Sequence, residues 1–209
     1  MTAAIAASLW STPAQELAPE AARLHRAGID RFHWDFADGT MSPAGGFTAD
    51  TARTLTPAGA QSEAHLIMAD PRSTITEWLP FCRAIAVHAS QPHWRESIAL
   101  IEQSTGGSVL PVLAVSDAAE LELAEPHWGV LIMAIVPGYA GTEFNEHCIE
   151  LVRQAHRNGH PHIGVDGSVT PERAQRLIRA GANLLVSGTS LSSADNPAAW
   201  VDAATGSGP

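Results

Sequence analysis

Short runs of β-forming residues alternate with helical segments along the whole chain, and this alternation limits the architectures open to it. Strands are expected near residues 3–9, 28–36, 61–68, 84–88, 108–114, 129–135, 162–166 and 183–187. Between them lie amphipathic stretches such as "AQELAPEAARLHRAG", "FNEHCIELVRQAHRNG" and "TPERAQRLIRAG". Each ends in glycine with an arginine in the last turn, a helix C-terminal pattern. "TPER" adds a threonine cap, a proline at the first helical position and a nearby glutamate. Repeated strand–helix units build a parallel sheet covered by helices. Eight such units in 209 residues point to a single (β/α)8 TIM barrel over residues 1–203, with a small, flexible tail at 204–209. A doubly wound open sheet is the structural alternative. The chain shows no internal repeat, linker or second domain.

Composition narrows the function classes. With 45% hydrophobic and 16% charged residues, the chain can bury a sizeable core. A net charge of −10 argues against nucleic-acid or anionic-membrane partners. The N-terminal "MTAAIAASLW" has no basic region of the signal-peptide kind, and no apolar run approaches the roughly 18 to 20 residues that span a bilayer. Cys82 and Cys148 have no metal-type spacing, so a reduced, cytoplasmic setting is expected. All twelve basic residues are arginine and none is lysine. Schiff-base catalysis needs a side-chain amine and a Walker loop needs its lysine, so both are excluded.

The stretch "RFHWDFADG" (31–39) is the least ordinary. On a strand, Phe32, Trp34 and Phe36 share one face while His33 and Asp35 share the other. In a (β/α)8 barrel, functional groups gather at the C-terminal strand ends. Ser8 closes the first expected strand, His33 and Asp35 the second, His65 nears the end of the third, and Asp166 closes the seventh. Two imidazoles and two carboxylates from three strand ends could meet around one divalent cation. Such a mixed set suits Zn²⁺, Fe²⁺, Mn²⁺ or Co²⁺ better than an all-oxygen cage ion. A lone strand histidine is more often a hydrogen-bonded core residue, and His25, His93, His127, His147, His156, His160 and His162 are read that way. His88 ends the fourth strand, where lining a pocket and plain core packing are both open.

Glycine-rich stretches supply a second kind of site. "VPGYAG" (136–141), "DGS" (166–168) and "SGTS" (187–190) follow the last three strands. Backbone N–H groups in such loops can cradle an anion without lysine, and the loops after the last two barrel strands are the usual phosphate position.

Together these residues resemble the ribulose-phosphate 3-epimerase family. The family's His-x-Asp-x-Met-Asp-Gly reads here "HWDFADG", its His-Leu-Met reads "HLI", its Pro-Gly-Phe-Gly-Gly reads "PGYAG", and its Val-Asp-Gly-Gly reads "VDGS". Its Gly-Ser/Thr motif reads "SGTS", after "AGANLLV". The resemblance implies a ketose-phosphate 3-epimerase using one divalent metal ion, with His33, Asp35, His65 and Asp166 as metal ligands. Asp35 and Asp166 would be the two acid/base carboxylates, Ser8 would hydrogen-bond the substrate, and Met133 would remain from a sulfur-rich cap. Gly138, Ala140, Gly141, Ser168, Gly188 and Thr189 would surround the phosphate. Ala37 and Ile67 stand where the family carries its other cap methionines. "YAG", "VDGS" and "GTS" resemble the branch acting on allulose 6-phosphate, which is one alternative substrate. A catalytically idle sugar-phosphate binder is another reading. The resemblance also implies a homo-oligomer with a small-molecule ketose phosphate as its partner.

Overall fold

The computed structural model describes residues 3–139 and 142–206. The strands are β1 (Ala4–Ser8), β2 (Arg31–Ala37), β3 (Gly45–Gly46), β4 (Gln61–Ile67), β5 (Cys82–His88), β6 (Leu110–Val115), β7 (Gly129–Met133), β8 (Ile163–Asp166) and β9 (Leu184–Ser187). The helices are α1 (Leu17–Arg26), α2 (Ala49–Leu55), α3 (Arg72–Trp78), α4 (Trp94–Thr105), α5 (Ala118–Leu121), α6 (Cys148–Arg157), α7 (Pro171–Ala180), α8 (Thr189–Ser192) and α9 (Pro197–Thr205). Setting aside β3, neighbouring strands pair in parallel in the order β1-β9-β8-β7-β6-β5-β4-β2, and β1 also pairs with β2. That last pairing, with Ser8 opposite His33, closes the sheet into an eight-stranded barrel and excludes the open-sheet alternative.

Burial explains the closure. A closed parallel sheet has two covered faces, and the chain supplies two sets of apolar side chains. Inside the barrel, Ala6, Ala84, Ala86, Val112, Ala114, Leu131, Met133, Leu184 and Val186 form one cluster. These are mostly small residues, and space is tight: a Cβ on Gly164 would sit 2.9 Å from Leu131 Cδ1. Outside, Phe32, Trp34, Leu24, Ile75, Trp78, Ile85 and Ile98 belong to the larger cluster beneath the helices. Phe32 and Trp34 stack with centroids 5.8 Å apart, and Trp34 meets Phe47 edge-on. Trp78, Trp94 and Trp200 are buried in the same layer.

The helix signals hold locally. Thr170 caps α7 by accepting from Arg173 N, and Gly181 ends it with a left-handed backbone. The α9 helix extends through Thr205 with Ala204 fully buried, two residues past the expected end of the barrel at 203. Residues 207–209 of the expected tail lie outside the described segments.

The short β3 has no precedent in the sequence reading. It pairs antiparallel with the end of β2, Gly46 opposite Phe36, and Phe47 N donates to Asp35 O at 2.9 Å. Glycine is required here by both conformation and space. Gly46 has φ +80, and a Cβ there would fall 2.0 Å from Asp35 O and 2.6 Å from Trp10 Cζ3. Gly59 has a similar φ of +86 but nothing within 4 Å of an added Cβ. Gly46→Ala should therefore cost about 3 kcal/mol or more, as strain plus overpacking. Gly59→Ala should cost only about 1–2 kcal/mol of left-handed strain. Parallel urea titrations of the two variants check this, and equal losses would reject the packing argument.

Candidate active site

A cavity of about 320 Å³ opens at the C-terminal ends of the strands. Alternation along β2 turns His33 and Asp35 inward while Phe32 and Trp34 pack outward. The register places Asp35 opposite His65 on β4 and Met133 opposite Asp166 on β8. One ligand atom from each of His33, Asp35, His65 and Asp166 lies within 4.8 Å of the others. The residue types and the convergence match the expected quartet.

The contacts identify which atoms face the centre. His65 Nδ1 is 2.9 Å from Asp35 Oδ1 and 3.6 Å from Asp166 Oδ2. His33 Nε2 is 3.4 Å from Asp35 Oδ1, too poorly aligned for a hydrogen bond. Neither ring nitrogen of this buried imidazole has a hydrogen-bond partner among the described residues. Leaving a buried polar group unmatched costs roughly 1–3 kcal/mol, so His33 is set for a partner that the protein atoms do not provide. Two imidazole nitrogens and two carboxylate oxygens form a donor set that fits a divalent transition-metal cation.

The electrostatics point the same way. Burial disfavours the charged His33 ring, but the Asp35 carboxylate beside it, helped by Asp166 and Glu63, outweighs burial and lifts its pKa to about 9. Burial pushes Asp35 up, yet His33 and His65 hold it well below the usual carboxylate range. Asp166 is raised to about 6 by burial and by the neighbouring Asp35 charge. The two carboxylates thus demand positive charge nearby, which a proton on His33 or a bound cation can supply.

Surrounding groups hold the quartet in place. Ser8 Oγ donates to Asp35 Oδ2 at 3.0 Å. His65 Nε2 lies 2.9 Å from His88 Nε2, and burial followed by the neighbouring His65 lowers His88 to about 3. His88 is 2% exposed and stands behind His65 rather than on the cavity wall. Ser8, Asp35, Gly138, Asp166, Ser168, Gly188 and Thr189 all line the cavity. Met133 is not among the lining residues; it packs inside the barrel. Ala140 and Gly141 lie outside the described residues.

Ile67, which stands at a family cap-methionine position, lines the cavity. So do Trp10, Ile135 and Arg173, which the sequence did not single out. Trp10 follows a strand end directly, which was a usable signal. Arg173 sits in an ordinary-looking helix start and carried none.

Comparison with known proteins agrees with this geometry. The model of the Ribulose-phosphate 3 epimerase family matches residues 4–192. The chain is 32% identical over 214 residues to the cytoplasmic isoform of ribulose-phosphate 3-epimerase from Oryza sativa subsp. japonica, covering 96% of this chain and 92% of that one. It is 30% identical to ribulose-phosphate 3-epimerase from Bacillus subtilis (strain 168), covering 90% and 91%. Among solved structures, KGPDC from Streptococcus mutans superposes with a TM-score of 0.67 at 13% identity, over 97% of this chain and 95% of that chain. Phosphoribosyl anthranilate isomerase from Thermotoga maritima gives a TM-score of 0.66 at 15% identity, over 99% and 100%. These two likenesses concern the barrel alone. The family match across the barrel, together with the two relatives of near-complete coverage, establishes that the chain belongs to the ribulose-phosphate 3-epimerase family, a family of isomerases.

Proposed function

We propose that the chain interconverts a 2-ketose phosphate and its C3 epimer, ribulose 5-phosphate and xylulose 5-phosphate being the pair. The observation that carries this reading is the meeting of Asp35 and Asp166, from β2 and β8, with two imidazoles at one end of a cavity that they both line. Inverting a carbon centre through a planar intermediate requires a proton to leave one face and another to arrive at the opposite face. Two carboxylates on different strands can serve both faces.

In the direction where Asp35 is the base, its carboxylate removes the C3 proton and Asp166 delivers a proton to the other face. The reverse direction exchanges their roles. The unequal proton affinities of the two groups suit this division, because one must be ionised while the other carries a proton. Ser8 fixes the second oxygen of Asp35 and so aims the first into the cavity. His33, Asp35, His65 and Asp166 would hold a divalent ion, with zinc, iron, manganese and cobalt as the candidates. When bound, it supplies Lewis-acid stabilisation of the negative charge that develops on the substrate oxygens. Gly138, Ser168, Gly188 and Thr189 surround the phosphate with backbone N–H groups, and binding energy gained there holds C3 between the carboxylates.

Two lesser parts of the reading follow. Cys82 and Cys148 are buried and unpaired, which suits a reduced, cytoplasmic protein. No helix among the described residues is long and apolar enough to cross a membrane. A homo-oligomer remains the proposed assembly, on the resemblance alone.

Asp35→Asn and Asp166→Asn should each lower formation of xylulose 5-phosphate from ribulose 5-phosphate, followed by NMR, by about 10²–10⁴-fold. Normal epimer formation by either variant would overturn the two-base reading. Prolonged dialysis against a chelator should abolish turnover, and re-addition of each candidate ion in turn should identify the one that restores it. Full activity at less than one-tenth metal per chain would remove the ion from the reaction. His88→Phe should weaken divalent-ion affinity by roughly 10–100-fold, the usual effect of losing a group that orients a ligand. Competition with a chromophoric chelator measures it, and unchanged affinity would reduce His88 to core packing.

A further inference from the structure

We propose that Arg173 is a substrate-binding residue that contacts the phosphate, adding a charged ligand to the backbone N–H groups of the glycine-rich loops. This rests on the epimerase reading and extends it to the recognition of the substrate's far end. A phosphate monoester carries about −1.5 to −2 charge near pH 7. It must enter a chain of net charge −10 without a single lysine, and a cavity that already holds Asp35 and Asp166. Among the described residues that line the cavity, Arg173 is the one basic side chain, and it stands with Gly167, Ser168, Gly188 and Thr189.

The guanidinium is fixed from two directions. Its Nη1 donates to Ser168 O at 2.7 Å, and its Cζ lies 4.6 Å from the centroid of the Phe144 ring. Ser168 is itself held in a left-handed backbone at φ +51, a conformation unusual for a residue other than glycine. Its hydroxyl donates to Thr142 O at 2.8 Å. Nearby carboxylates are engaged elsewhere, Glu146 by Arg176 and Glu172 by the Thr170 hydroxyl. A guanidinium carries five N–H donors in a planar fork that matches phosphate geometry. With one donor on a carbonyl and one face on a ring, the plane is preset and further donors are free for an anion. The rotamer entropy that a loose arginine would lose on binding is already spent.

The test uses inorganic phosphate binding by calorimetry, with turnover of ribulose 5-phosphate and of unphosphorylated ribulose measured in parallel. Arg173→Met should weaken phosphate binding by about tenfold or more, as expected for losing a charge-assisted hydrogen bond. The ratio of kcat/KM for ribulose 5-phosphate over ribulose should fall by a similar factor. Arg173→Lys should recover part of the phosphate affinity, because it restores charge without the Phe144 stacking plane. Unchanged phosphate affinity and an unchanged ratio in Arg173→Met would overturn the proposal. So would an Arg173→Lys variant no better than Arg173→Met, since the loss would then reflect packing on Ser168 and Phe144. Absence of C3 exchange by the wild type would reject the epimerase reading instead, and the phosphate titration would still decide the role of Arg173.

Discussion

The arrangement of this protein turns on a carboxylate that is almost wholly buried at one end of the barrel. Asp35 is 6% exposed on the inner face of a closed barrel, and an ionised group there is tolerated only with partners. Ser8 satisfies one oxygen, while His65 and His33 face the other. These residues come from β1, β2 and β4, the strands that the closing register brings side by side. Closure of the barrel and solvation of the carboxylate are therefore one event seen at two scales. A chain that failed to pair β1 with β2 would leave Asp35 without its serine.

The interior below this centre is built differently. Four of the nine buried residues of the inner cluster are alanine, and Gly164 leaves room for Leu131. At the opposite, N-terminal end, Arg31 Nη1 lies 3.5 Å from the buried Glu63 carboxylate. The barrel is thus apolar in its middle, with ionisable groups at both ends. The C-terminal end opens into a cavity, where Asp35 and Asp166 can meet a ligand.

Much of this was legible in the sequence, for reasons that can be stated. Each barrel strand has a local signature, and period-two alternation alone separates Phe32 and Trp34 from His33 and Asp35. The quartet could be found because strand ends in a barrel share one rim, so position along each strand implies proximity. What the sequence hid depends on contacts between distant segments. The β3 pairing requires knowing that Gly46 meets Asp35 O and Trp10. Arg173 looks like any arginine in the first turn of a helix until Ser168 and Phe144 are seen around it. The hydrogen bond of His88 to His65 crosses two strands, and no spacing rule reports it. Met133 is a like case, since its packing with side chains of neighbouring strands inside the barrel is not written in its own stretch of sequence.

Asp35 is gripped twice, through its carbonyl by Phe47 N and through its carboxylate by Ser8. A side chain pinned at both ends has little freedom to swing toward a misaligned reactant. The adjustment must come from the other party, and the sugar is held several bonds away from the carbon that reacts. The phosphate then behaves as the fulcrum of a lever arm: a small angular error at its grip becomes a larger displacement at C3. Stiffness at the carboxylate transfers the demand for accuracy to whatever holds the phosphate, the role proposed for Arg173 and the glycine-rich loops.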